Sequence, residues 1–96
     1  MAEAATWNGV FDAGDDETFE IIMYQNITGW TITFDLKASD IEKTITSHDD
    51  AANGETSFSL SDIETEELNG NYNYEFRYTT DNNNDETFLK GVFTWV

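Results

Sequence analysis

Two stretches of strict alternation constrain this chain more than any other feature. From Trp30 to Lys37, the apolar residues Trp30, Ile32, Phe34 and Leu36 alternate with Thr31, Thr33, Asp35 and Lys37. From Tyr72 to Thr79, Tyr72, Tyr74, Phe76 and Tyr78 alternate with Asn73, Glu75, Arg77 and Thr79. Side chains on a strand point to opposite faces in turn, so this pattern predicts half-buried antiparallel strands with one face on a core and one in water.

Weaker versions of the same pattern fill the rest of the chain. Ala4 to Phe11 reads as an edge strand carrying Trp7, Val10 and Phe11. Thr18 to Tyr24 turns Phe19, Ile21 and Met23 to one face. Ile41 to Ser47 is a weaker strand, and Lys43 between Ile41 and Ile45 suggests an edge. Glu55 to Leu60 and Thr87 to Val96 complete the set, with Gly91 read as a bulge. Polar Gly/Asn/Asp turns separate the strands, Asn53-Gly54 among them. Ser61 with Glu64 three residues on fits a capping box, so one short helical turn is predicted between Ser61 and Leu68. The prediction is all-β: a single immunoglobulin-like antiparallel β-sandwich of six to seven strands with one short helical turn. Residues 1–17 are read as an N-terminal edge strand or docking arm, and residues 18–96 as the sandwich.

The charge argues in the other direction. The chain has 20 acidic and 4 basic residues among 96, a formal net charge of −16. Such an excess normally opposes collapse. Here 39% of the residues are hydrophobic and 15% aromatic, enough for a core beneath an acidic coat. In molar salt the Debye length falls to roughly 3 Å and self-repulsion is largely screened. The composition therefore points to a high-salt source, a halophilic one. Lys37, Lys43, Arg77 and Lys90 are scattered and form no footprint for nucleic acid or anionic membrane. No apolar run approaches a membrane span, and no signal peptide is read at the N-terminus.

With no cysteine and one histidine, His48, the chain offers little for nucleophilic chemistry. His48 lies in a polar turn and is read as solvated. Acid pairs are too numerous to mark any one as catalytic. No enzyme activity and no cofactor are expected. Asp81, Asn83 and Asp85 place oxygens at alternate positions, but an EF-hand would need glycine where Glu86 stands and glutamate where Val92 stands, so they are weak metal candidates. Asn26-Ile27-Thr28 is a glycosylation sequon in a turn. Trp7 and Trp95, near the termini, are the candidate exposed anchors, with Phe11 and Arg77 as further interface candidates.

The most specific local motif is Leu68-Asn69-Gly70-Asn71-Tyr72-Asn73-Tyr74. Leu68, Gly70 and Tyr72 fit a tyrosine corner, in which the phenol ring packs in the core and its hydroxyl bonds upstream backbone. Taken with Gly29 to Lys37, Asn53-Gly54, Phe58 to Ser61, and Gly91 to Thr94, this order resembles the N-terminal immunoglobulin-like domain of the phage baseplate upper protein family, over roughly residues 18–96. The resemblance implies a tailed-virus structural protein, and the acidic charge adds the expectation of a halophilic, haloarchaeal host. It implies a virion location in tail, baseplate or head surface, a non-catalytic assembly role, and other virion proteins or further copies of the chain as partners. The alternative from the aromatic content is a carbohydrate-binding decoration module that contacts host surface glycans.

Overall fold

The computed structural model describes residues 5–96. Its strands are β1 (Ala5–Thr6), β2 (Gly9–Phe11), β3 (Glu17–Ile22), β4 (Thr31–Leu36), β5 (Glu42–Ile45), β6 (Glu55–Leu60), β7 (Gly70–Thr79) and β8 (Asp85–Trp95). A 3₁₀ turn (Ala51–Asn53) precedes β6, and a short helix α1 (Asp62–Glu66) follows it. The larger sheet has the order β1-β8-β7-β4-β5, with β2 also on β8, and the smaller pairs β3 with β6. This is an all-β sandwich with immunoglobulin-like strand order: β3 and β6 form one layer, and β4, β5, β7 and β8, with β1 and β2 laid on β8, form the other.

The alternating stretches behave as their pattern dictates. On β4, Ile32, Phe34 and Leu36 are buried, while Thr31, Thr33 and Asp35 stand on the outer face. On β7, Tyr74 and Phe76 are buried. Phe19 from β3 and Leu60 from β6 close the core from the smaller sheet. Without a disulfide, aromatic rings bridge the layers. Phe19 stacks on Phe93 at 5.5 Å, and Phe58 meets Phe34 at 5.0 Å and Phe76 at 5.6 Å. Each such pair contributes about 0.5–1.5 kcal/mol beyond area burial.

The helical turn forms where expected, with both halves of the capping box. Glu64 N–H donates to Ser61 Oγ (3.2 Å), and Ser61 N–H donates to Glu64 Oε1 (2.9 Å). Lys43 reaches α1 from β5 and pairs with Glu64 at 2.7 Å. On the outer face of the larger sheet, Asp35 and Glu75 sit directly opposite each other. That like-charge pair is unfavourable alone. Lys37 stands against both carboxylates, at 2.6 Å and 3.7 Å, and offsets it.

Three features differ from the sequence reading. First, the sandwich is not wholly antiparallel: β1 and β2 run parallel to β8. The chain lays its first strand along its last and then crosses to the other layer, so the N-terminal strand shares the direction of β8. Counted separately, β1 and β2 bring the total to eight strands rather than six or seven. Second, the bulge is at Phe88 rather than Gly91, since Phe76 pairs with Leu89 and Arg77 with Thr87. Gly91 has another cause. A Cβ there would collide with the Trp7 carbonyl oxygen and meet Asn8 Oδ1 at 2.9 Å. The N-terminal strand passes too close for any side chain, and this is where it breaks into β1 and β2. Third, His48 is tied into the structure rather than solvated. Its Nε2 faces the Trp30 carbonyl at 2.9 Å and its Nδ1 faces buried Thr56 Oγ1 at 2.9 Å. The carbonyl can only accept, so Nε2–H is the donor to Trp30, while Nδ1 and the Thr56 hydroxyl share the second hydrogen bond.

Candidate docking surface

The four edges of the two sheets are treated differently. The β1–β2 edge is interrupted at Trp7 and Asn8, where Asn8 Oδ1 takes the Val92 N–H (2.9 Å) in place of backbone. The β5 edge is four residues long, and its Lys43 is drawn to α1. The outer edge of β6 is partly covered at its start, where Asp50 and Glu55 exchange backbone hydrogen bonds. Short strands, inward lysines and covering loops are ways of protecting an edge from adventitious pairing.

The remaining edge, that of β3, has none of these devices among the described residues. Met23 N–H donates to the Gly54 carbonyl at 2.8 Å, in continuation of the β3–β6 register. Backbone groups alternate sides along a strand, so those of Thr18, Glu20 and Ile22 face away from β6. Beside this edge the side chains of the two layers leave a gap. The gap is an apolar hollow of ≈ 420 Å³ lined by Trp7, Ile21, Met23, Phe88 and Leu89, among others, with Glu20 the charged residue at its margin. Trp7 is 48% exposed and rests edge-on against Phe93 at 5.3 Å. Ile22, 53% exposed, projects from the outer face of β3. Beyond it Tyr24 is 87% exposed in the left-handed region, at φ 56°. That conformation is uncommon for a bulky side chain, and it turns the ring outward at the end of the edge.

Tyr74 links this surface to the core. Its hydroxyl donates to the Trp7 carbonyl at 2.5 Å, and burial pushes its pKa up to about 12. At the opposite end of β3, burial and the nearby Asp15 and Asp12 carboxylates raise the Glu17 carboxyl above its ordinary value. Negative charge is thus concentrated where the edge begins.

The sequence-predicted interface residues separate into different environments. Trp7 is at the surface. Trp95 is fully buried, packed against Phe11 at 5.1 Å and Phe93 at 5.9 Å, so its reading as an exposed anchor is corrected. Its position near the C-terminus misleads because β8 is flanked on both sides, by β7 and by β2. The Trp95 indole N–H finds no acceptor among the described residues. Phe11 is half-buried against Phe19, Phe93 and Trp95 and serves the core. Arg77 donates to Asp85 at 2.7 Å and is held within the chain.

At the corner, Leu68 is buried and Gly70 has φ 93°, in the left-handed region. Tyr72 Oη accepts from the Asn69 N–H at 3.1 Å, and its ring meets Trp95 edge-on at 6.0 Å. Of the weak metal candidates, Asp85 is turned to Arg77 and Asn83 occupies the left-handed apex of the β7–β8 turn at φ 63°. No group of three or more His, Asp or Glu residues comes together among the described residues. Asn26 Oδ1 accepts from both the N–H and the hydroxyl of Thr28, at 2.9 Å and 2.6 Å, closing a local turn at the sequon.

No protein-family model matches this chain, and no curated protein matches it.

Proposed function

We propose that the chain is a non-catalytic assembly module of a tailed-virus particle, seated in the tail, the baseplate or the head surface and working in a high-salt setting. The reading rests on the immunoglobulin-like order of strands, on the resemblance carried by the Gly29–Lys37 and Leu68–Glu75 segments, and above all on the open β3 edge beside an apolar hollow. An unguarded strand edge is a template for pairing with another chain. In a protein of net charge −16, self-repulsion disfavours indiscriminate use of such an edge. Other virion proteins are the proposed partners, and nucleic acid and anionic membrane are disfavoured by the same charge.

The test is the protein content of purified particles. The chain is expected at fixed stoichiometry in intact virions and is expected to remain through a density gradient. Its absence from them overturns the reading. The glycan-binding alternative now depends on Trp7 and Tyr24, the exposed rings, because Trp95 is enclosed. Binding to a glycan array that is lost in Trp7→Ala, with particle incorporation unchanged, favours that alternative.

A further inference from the structure

We infer that the β3 edge and its hollow accept an extended segment of a partner protein as a third strand of the smaller sheet, and that this segment alternates apolar residues with Lys or Arg. The inference rests on the assembly reading and specifies where and what the module binds.

Two observations place the site. The smaller sheet has only two strands, and two-stranded sheets are marginal in water without further pairing or packing. Its inner row continues past Phe19 to Ile21 and Met23, which are only half-buried where they line the hollow. A strand laid along β3 would pair with the backbone of Thr18, Glu20 and Ile22. Every second side chain would fall into the hollow against Trp7, Phe88 and Leu89, the usual arrangement when a peptide augments a sheet edge.

Charge selects the occupant. Glu20 is the charged residue lining the hollow, and the turn before β3 carries Asp12, Asp15, Asp16 and Glu17. Of the four cations, Lys37, Lys43 and Arg77 are committed to carboxylates elsewhere, and Lys90 lies with Lys37 and Glu75 around a different pocket. A second copy would bring another −16 to this margin, whereas the outward side chains of a cationic strand would meet Glu20 and the acidic turn.

The probe is a capped heptapeptide of alternating lysine and valine, titrated calorimetrically into the full chain at the lowest salt that keeps it folded. Two controls separate strand pairing from plain charge attraction. One is a peptide of identical composition with the lysines and valines in separate blocks, and the other replaces lysine by glutamate. The alternating lysine peptide is expected to bind at least tenfold tighter than either. Glu20→Pro, which removes the outward N–H, is expected to abolish the difference between alternating and block peptides. Glu20→Lys keeps the backbone donor and is expected to weaken the alternating lysine peptide several-fold. Equal binding of the alternating and block peptides overturns the inference, as does equal binding of the glutamate peptide. Concentration-dependent dimerisation abolished by Glu20→Pro would assign the edge to a second copy and also overturn it. A chain found in virions but indifferent to the alternating peptide sinks this inference alone. A chain that binds the peptide but is absent from virions sinks the assembly reading alone.

Discussion

Gly91→Ala tests how the N-terminal strand is held. The new Cβ would collide with the Trp7 carbonyl oxygen and lie 2.9 Å from both the Trp7 carbonyl carbon and Asn8 Oδ1. Two of these are backbone atoms, so relief requires the Trp7–Asn8 step to lift from β8. That movement strains three hydrogen bonds: Trp7 N–H to the Lys90 carbonyl (3.1 Å), Val92 N–H to Asn8 Oδ1 (2.9 Å), and Tyr74 Oη to the Trp7 carbonyl (2.5 Å). Each is worth about 1 kcal/mol net, so about 3 kcal/mol is at stake. Replacing a strand glycine by alanine returns about 0.5–1 kcal/mol of backbone entropy. The expected net loss is about 2 kcal/mol, which for a domain of this size lowers Tm by roughly 8–16 °C. Thermal unfolding followed by circular dichroism reads the loss. Tryptophan emission reads its location, because Trp7 leaves its contact with Phe93 and its emission moves to the red. A Tm within about 2 °C of the parent, with unchanged emission, refutes the close approach. A lowered Tm with unchanged emission refutes the assignment of the strain to Trp7.

Other perturbations probe the rest of the sandwich. His48→Ala leaves buried Thr56 Oγ1 and the Trp30 carbonyl without their shared partner, and chemical denaturation is expected to show a loss of about 1–3 kcal/mol; a loss below about 0.5 kcal/mol contradicts the bridge. The hydrogen bonds from Lys43 and from the Ser61 backbone hold the Glu64 carboxyl below its ordinary value of 4.5. Its stabilising contribution is therefore complete above pH 4.5 and lost as pH falls through the lowered folded value. Glu64→Gln keeps an acceptor for the capping box, so its stability is expected to fall short of the parent at neutral pH and converge with it in acid; a constant difference at all pH values contradicts the Lys43 pairing. Raising salt from 0.1 M to 1 M shortens the Debye length from about 10 Å to about 3 Å, and stability is expected to rise with it. Equal stability across that range contradicts the high-salt reading of the −16 charge.

Much of the fold was legible because the strands that form its centre are patterned locally. The alternation at Trp30–Lys37 and Tyr72–Thr79 identifies β4 and β7 and the rings they bury, and Ser61 with Glu64 marks the start of α1. What escaped depends on contacts between residues far apart in sequence. Gly91 reads as a bulge until Trp7, near the opposite end of the sequence, is seen to pass over it. Trp95 reads as a terminal anchor until β2 is laid along its other side. His48 reads as a loop residue until Trp30 and Thr56 converge on its two nitrogens. The candidate site was legible only in part: Trp7 was visible as an exposed ring, and strand edges as docking elements. Which edge is open follows from how β1 and β2 choose β8 over β3, and no local pattern in the sequence records that choice.

The most direct test of the account is amide hydrogen exchange along β3, residue by residue, in the isolated chain and with the alternating lysine–valine peptide. An open edge is expected to show alternating rates, fast at Thr18, Glu20 and Ile22 and slow at Phe19, Ile21 and Met23, with the fast set slowed at least tenfold when the peptide binds. Uniform protection of all six amides in the isolated chain, or fast amides that the peptide leaves unchanged, would contradict it.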